Sequence, residues 1–189
     1  CNIHCAYCHN PETQWLCIGC GACVRACPAG ALKMVCDAVE WDQDACVKCD
    51  TCIHVCPNHS SPRILYLDAE QVFERVKSYM PFIRGVMCSG GECMLYPEFL
   101  YELFGMCRGV GLGCLIDSNG TVDFSEHQGL LALSDGVMLD LKCWDDAWFV
   151  SLTGTDGKTV RKNLEFLAEQ DKLAELRGIV TVDRNDPEA

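Results

Sequence analysis

The densest chemistry in the sequence comes first. Cys1, Cys5 and Cys8 stand at C-x3-C-x2-C spacing, with Tyr7 just before the last of them. Three thiolates on one short loop can hold three corners of a [4Fe–4S] cluster. Such a cluster normally takes four Cys, so a three-cysteine set leaves one iron open to a small molecule. A zinc knuckle is the competing use of the same thiols.

Two further runs follow. Cys17, Cys20, Cys23 and Cys27 with Pro28 read C-x2-C-x2-C-x3-C-P. Cys46, Cys49, Cys52 and Cys56 with Pro57 repeat the pattern 29 residues later. This is the bacterial ferredoxin spacing, in which the fourth Cys of each run serves the other cluster. One cluster then takes Cys17, Cys20, Cys23 and Cys56, and the other takes Cys46, Cys49, Cys52 and Cys27. Neither half completes a cluster alone, and the clusters become the main staple of a segment too short for a good core. A zinc ribbon would need four ligands and no Pro after both runs.

The grouping of cysteines also sets the compartment. Eleven of the 17 fall in these three tight sets, and Cys-x-x-Cys neighbours favour metal over long-range disulfides. A reducing, anaerobic cytoplasm is expected. Cys36, Cys88, Cys93, Cys107, Cys114 and Cys143 are scattered and read as small buried hydrophobes. A length of 189 residues suits one domain, or one with an insertion, and a sizeable core. The net charge of −12 offers no basic stripe for phosphates, which excludes a nucleic-acid partner. No apolar run is long enough to span a membrane, and no signal peptide is visible.

The elements that must position these groups follow from pattern. Pro11 is expected to keep the exit of the first loop extended, and residues 31–35 and 39–41 suit small strands. A polar connector occupies 57–67. From Asp68 a βα rhythm begins. Asp68 and Gln71 cap a helix whose face is Val72, Phe73, Val76, Tyr79 and Met80. The strand Gly85–Cys88 ends in Ser89-Gly90-Gly91-Glu92, and a helix at 97–106 follows. A strand at 114–116 ends in Asp117-Ser118-Asn119-Gly120, and Ser125 with Gln128 opens a helix through Leu133. A strand at 136–139 ends in Asp140-Leu141-Lys142. A helix at 158–170 carries Val160, Leu164 and Leu167 on one face, and a fourth strand is expected at 177–182. Strands alternating with helices imply a parallel sheet with right-handed crossovers. Each polar motif then lies at a carboxyl end of that sheet, where α/β folds place ligands.

The residue types have chemical meaning. Gly90 and Gly91 let bare backbone approach a ligand. Glu92 can accept a hydrogen bond or pair with an ammonium group. Lys142 can neutralise a buried carboxylate, a ligand's carboxylate, or simply form a structural ion pair. The histidines at 4, 9, 54, 59 and 127 form no spaced metal pair and receive no catalytic role; His9 reads as a polar contact near the first loop.

The first loop resembles the signature of the radical S-adenosylmethionine (SAM) enzymes. In that family the open iron chelates the amino and carboxylate groups of SAM, and the residue at Tyr7 lies beside the adenine. Gly90, Gly91 and Glu92 resemble the family's GGE motif, which holds the amino group of SAM. Asp117 and Ser118 resemble the acidic–hydroxyl pair of the glycyl-radical-enzyme activases, and Asp140 with Lys142 their D-x-K motif. In one member, the equivalents of Asp117, Ser118, Met138 and Asp140 surround a monovalent cation beside SAM; Ser118 stands where that member has Thr. The text at 8–11, 115–120 and 173–177 looks similar to the YjjW-type subgroup.

This resemblance implies a partial (β/α)6 radical SAM barrel with an inserted two-[4Fe–4S] ferredoxin-like domain. Residues 1–16 would be the cluster loop, 17–60 the insert and 61–189 a barrel core incomplete at both ends, with 183–189 an interrupted loop. It implies three [4Fe–4S] clusters and SAM as cofactors, with Cys1, Cys5, Cys8 and Lys142 at the reaction centre. The reaction would be reductive cleavage of SAM to a 5′-deoxyadenosyl radical, which takes hydrogen from a backbone glycine of a glycyl radical enzyme. An external one-electron donor such as flavodoxin or ferredoxin would supply the clusters. Two rival readings compete with it. One is a ferredoxin-like electron-transfer protein on an inert scaffold. The other is a radical SAM enzyme acting on a small molecule or another peptide.

Overall fold

A computed structural model of the protein describes residues 1–15 and 17–180. The chain divides into two compact units. One comprises Cys1–Asn2 and Cys8–Tyr66, and the other Ile3–Tyr7 and the chain from Leu67 onward.

In the cysteine-rich unit, two short helices start at the same place in the two cysteine runs. The helix α1 (Ala22–Ala26) follows Gly21 at φ 66°, and α2 (Thr51–His54) follows Asp50 at φ 58°. Glycine enters this left-handed region freely, and Asp is among the few other residues that tolerate it. Between the helices, β1 (Leu32–Val35) and β2 (Ala38–Trp41) form the expected small strands. They pair antiparallel from Leu32↔Trp41 to Val35↔Ala38. The turn residues Cys36 and Asp37 both have positive φ, the backbone of a tight two-residue hairpin. Cys36 is therefore exposed at a turn, not a buried hydrophobe. Pro11 opens a 3-10 turn, Pro11–Thr13, so the loop exit is not extended. A fixed φ suits Pro at the first helical position as well as in extended chain.

The second unit holds four parallel strands in the order β3 (Gly85–Cys88), β4 (Gly113–Ser118), β5 (Gly136–Leu141) and β6 (Leu173–Gly178). The helix α3 (Ala69–Tyr79) leads into β3, and α4 (Pro97–Gly109), α5 (Gln128–Leu133), α6 (Asp146–Thr153) and α7 (Lys158–Glu169) connect the strands. The cap on α3 is the reciprocal Asp68–Gln71 box. One face of the sheet packs its alternate residues into an apolar core with the helices. Phe104, Cys107, Cys114, Ile116, Phe124, Val137, Leu139 and Leu167 are fully buried there. Alternation along β4 sends Cys114, Ile116 and Ser118 into this layer and leaves Leu115 and Asp117 on the other face.

Further expectations needed correction. The fourth strand is at Leu173–Gly178, four residues before the expected start, because pairing with β5 decides it. Leu139 faces Leu176 and Asp140 faces Arg177, although the stretch from Ile179 onward is the more strand-prone text. Residues 181 and 182 of that expectation, and the loop at 183–189, lie outside the described residues. The turn before α5 is opened by Asp123, whose carboxylate accepts from the Ser125 N–H, rather than by Ser125 with Gln128. Finally, α6 was not expected; Asp145 caps it and Gly154, at φ 76°, ends it. No helix among the described residues is long and apolar enough to cross a membrane.

Candidate functional site

In the cysteine-rich unit, Cys27, Cys46, Cys49 and Cys52 line a single cavity. These are the four ligands that interchange between the runs assigns to one cluster. Cys27 comes from the end of α1, and the other three from the second run. Among the described residues no three Cys, His, Asp or Glu side chains converge on a single-ion position; these thiols stand around a space instead. Cys52 and its counterpart Cys23 are buried with Leu32 and Val39 in a small core, and burial pushes both thiols up. Cys46 is held below the ordinary thiol value, first by the Trp41 indole N–H and then by the Lys48 backbone N–H. Cys49 is held down by the Thr51 hydroxyl, 3.3 Å from its sulfur. Trp41 Nε1 is buried and has no nitrogen or oxygen acceptor. It lines the same cavity as Arg63, so the polar partner on offer is thiolate or sulfide. That donor set fits an iron–sulfur cluster.

In the second unit, the polar motifs stand at the carboxyl ends of β3, β4 and β5, but they form two networks. In the first, Glu92 is buried and its carboxylate is filled by its own chain. Oε1 accepts from Met94 N at 3.0 Å and Ser118 Oγ at 2.9 Å, and Oε2 accepts from Asn119 N at 2.7 Å. Burial pushes its carboxyl up, and these three donors pull against that. Glu92 thus ties the loop after β3 to the end of β4. Gly90 has φ 128°, and a Cβ there would meet nothing within 4 Å. Its backbone faces open space in a conformation that favours glycine.

The second network is on the opposite face. Asp117 pairs with Arg177, and Arg177 Nε donates to Asp140 Oδ1 at 2.9 Å. Lys142 Nζ sits 2.6 Å from Asp140 Oδ2. Met138 is in register with Asp117. Two carboxylates and two cations therefore alternate across β4, β5 and β6. The structure brings together Asp117, Asp140, Met138 and Lys142, but sends Ser118 to Glu92. Successive residues of a strand point to opposite faces.

Two residues of this region escaped the sequence reading. Arg177 was placed at the start of a strand and is near the end of one. Asn163 is fully buried on α7. It donates to the carbonyls of Gly120 and Val122 at 2.8 and 2.7 Å and accepts from Phe124 N at 3.0 Å. It pins the loop after β4. A polar residue on the apolar face between Val160 and Leu167 was the available signal.

The first cysteine loop is shared out. Cys5 lies in the second unit, and Cys1 and Cys8 in the first. In the second unit, His4 N and Ala6 N donate to the carbonyls of Thr153 and Leu152 at the end of α6. Tyr7 packs on Cys143, Phe149, Leu152 and Val160. His9 is exposed.

Residues 16–60 match the 4Fe-4S dicluster domain family. The chain is 31% identical to the trans-4-hydroxy-L-proline dehydratase activating enzyme of Clostridioides difficile, over 89% of this chain and 61% of that protein. It is 28% identical to the choline trimethylamine-lyase activating enzyme of Oleidesulfovibrio alaskensis, over 100% and 66%. It is also 28% identical to the indoleacetate decarboxylase activating enzyme of Tractidigestivibacter scatoligenes, over 90% and 62%. The chain thus spans roughly three fifths to two thirds of these relatives. A crystallised domain of the pyruvate-formate lyase-activating enzyme from Bacteroides vulgatus shares the fold. Its TM-score is 0.51 at 24% identity, covering 55% of this chain and 65% of that domain.

Proposed function

We propose that the chain is a glycyl-radical-enzyme activating enzyme of radical SAM type, like the relatives it matches, and that it takes part in generating a glycyl radical on a partner enzyme. One observation carries the proposal. Gly90-Gly91-Glu92, Asp117 and Asp140 stand at the carboxyl ends of three neighbouring parallel strands, the place where such sheets bind ligands.

A [4Fe–4S] cluster with an open iron supplies, when bound, the electron that splits SAM into methionine and a 5′-deoxyadenosyl radical. Cys1, Cys5 and Cys8 would hold that cluster. The chain's own residues do the binding and orienting. Gly90 and Gly91 would offer backbone to the methionyl end of SAM, and Tyr7 would contact its adenine. Glu92 holds the loops after β3 and β4 in register. Asp117, Asp140, Arg177 and Lys142 present alternating charges to a zwitterion, and Lys142 and Arg177 are the cations available to its carboxylate. A monovalent cation beside Asp117, Met138 and Asp140 belongs to the same proposal, without the Ser118 hydroxyl, which is turned to Glu92 on the other face.

On this reading, residues 17–60 are a ferredoxin-type insert with two further [4Fe–4S] clusters. Residues 1–16 and 61–189 are parts of a partial (β/α)6 barrel. Electrons come from a flavodoxin or ferredoxin in a reducing cytoplasm. The partner is a glycyl radical enzyme, whose backbone glycine gives up the hydrogen atom.

The test is anaerobic. The reconstituted full-length protein, reduced with dithionite, is expected to convert SAM to 5′-deoxyadenosine, and the Cys5→Ala variant is expected not to. Cleavage retained by Cys5→Ala would overturn the assignment of that cysteine. Intact SAM beside fully loaded clusters, with or without the partner enzyme, would overturn the radical SAM reading and leave electron transfer.

A further inference from the structure

The two cysteine runs share a spacing but not their surroundings. A shift of 29 residues maps Ala22 onto Thr51, Gly21 onto Asp50 and Met34 onto Arg63. The structure gives this mapping physical content. A Cβ built on Gly21 would sit 3.2 Å from Arg25 Nη1 and 3.7 Å from the Met34 side chain. The equivalent pair, Asp50 and Arg63, is an ion pair at 2.6 Å. Thr51 Oγ1 is 3.3 Å from the Cys49 sulfur, whereas Ala22 offers the equivalent Cys20 only a methyl group.

Backbone donors are common to both sets. Gly19 N reaches Cys17 and Ser60 N reaches Cys56, while Lys48 N acts on Cys46 and Thr51 N on Cys49. The side-chain donors are not shared. Trp41 Nε1 and Arg63 line the cavity of Cys27, Cys46, Cys49 and Cys52. Arg63 is the better buried partner of its ion pair, with its side chain 23% exposed against 53% for Asp50, so water screens the anion more than the cation. The first run has a guanidinium of its own, Arg25, whose Nη1 donates to the Cys20 carbonyl at 3.2 Å.

We propose that the cluster held by Cys27, Cys46, Cys49 and Cys52 has the higher reduction potential of the two ferredoxin-type clusters, and that Trp41, Thr51 and Arg63 set it there. The inference rests on the reading of 17–60 as a holder of two clusters. Reduction adds one negative charge to a cluster. Hydrogen bonds to its sulfurs and nearby positive charge stabilise the reduced form more than the oxidised one. Solvent works the other way, because Cys17 and Cys20 are both exposed and Cys49 is the one exposed ligand of the second set. Donors in contact with sulfur act at shorter range than bulk water and decide the order. An electron delivered by an external donor would then reside mainly on the cluster held by Cys27, Cys46, Cys49 and Cys52.

Potentiometric titration followed by electron paramagnetic resonance tests this on the reconstituted full-length protein in a Cys5→Ala background. About eight irons should remain there, four per cluster. Trp41→Phe, Thr51→Ala and Arg63→Gln should each lower the higher midpoint and leave the lower one unmoved. The reverse graft, Ala22→Thr, should raise the lower midpoint. A higher midpoint that stays fixed in all three variants, or a response of the lower midpoint alone, would overturn the inference with the proposed function still standing. Markedly fewer than eight irons would overturn the two-cluster reading itself, and this inference with it.

Discussion

The two units bury their chains by different means. From Cys8 to Tyr66 the hydrophobic cluster is Cys23, Leu32, Val39 and Cys52, half of it cysteine. Helices of five and four residues are far too short to hold themselves in water. The second unit instead closes Phe104, Phe124, Met94, Leu139 and their neighbours between a parallel sheet and its helices. A core of that size supports a fold without a cofactor. In the first unit two of the four core residues, Cys23 and Cys52, are also prospective metal ligands, so folding is expected to depend on binding. In the second, the polar groups proposed to face a ligand lie on strand ends already fixed by packing.

The largest expected effect follows from that contrast. Stripping iron with a chelator should abolish amide-exchange protection across α1, β1, β2 and α2 while β4 and β5 keep theirs. Equal loss in both units would break the comparison. Next is the converse. Phe104→Ala should cost the second unit about 3–5 kcal/mol in urea unfolding and leave the iron bound by 17–60 unchanged. Glu92→Ala should cost about 3 kcal/mol, since it strands the buried Ser118 hydroxyl and the Met94 and Asn119 N–H groups. A much smaller loss would mean that Glu92 does not clamp the two loops. The smallest effect is electrostatic. The Lys162 ammonium, followed by the Ser125 hydroxyl, holds the Asp123 carboxyl down to about 2. Its contribution is full above the ordinary Asp range and is lost as pH falls from about 4 toward 2. Lys162 is largely in water, so the effect should stay below about 1 kcal/mol. An Asp123→Asn variant that loses stability in parallel with the parent over this range would remove it.

Much of this was legible in the residues. Cysteine spacing gave the interchange that places Cys27 beside Cys46, Cys49 and Cys52, because a covalent ligand pattern leaves little room for alternatives. The polar motifs announced the carboxyl ends of β3, β4 and β5, because glycine and carboxylates interrupt apolar runs. What stayed hidden depended on contacts between distant segments. Arg177 could not be placed while its strand was read four residues late, since only pairing with Asp140 fixes that register. The parting of Asp117 from Ser118 is a matter of strand faces, which motif resemblance does not encode. Trp41 and Arg63 carry no spacing signal at all; tertiary folding brings them to the second cysteine run.

The central claim is hydrogen transfer from a glycine, and one isotope experiment tests it most directly. A candidate glycyl radical enzyme, made with α-deuterated glycine, would be incubated with the reduced protein and SAM. Deuterium in the recovered 5′-deoxyadenosine is the predicted result. Abundant 5′-deoxyadenosine without deuterium, and no glycyl radical on the partner, would contradict it.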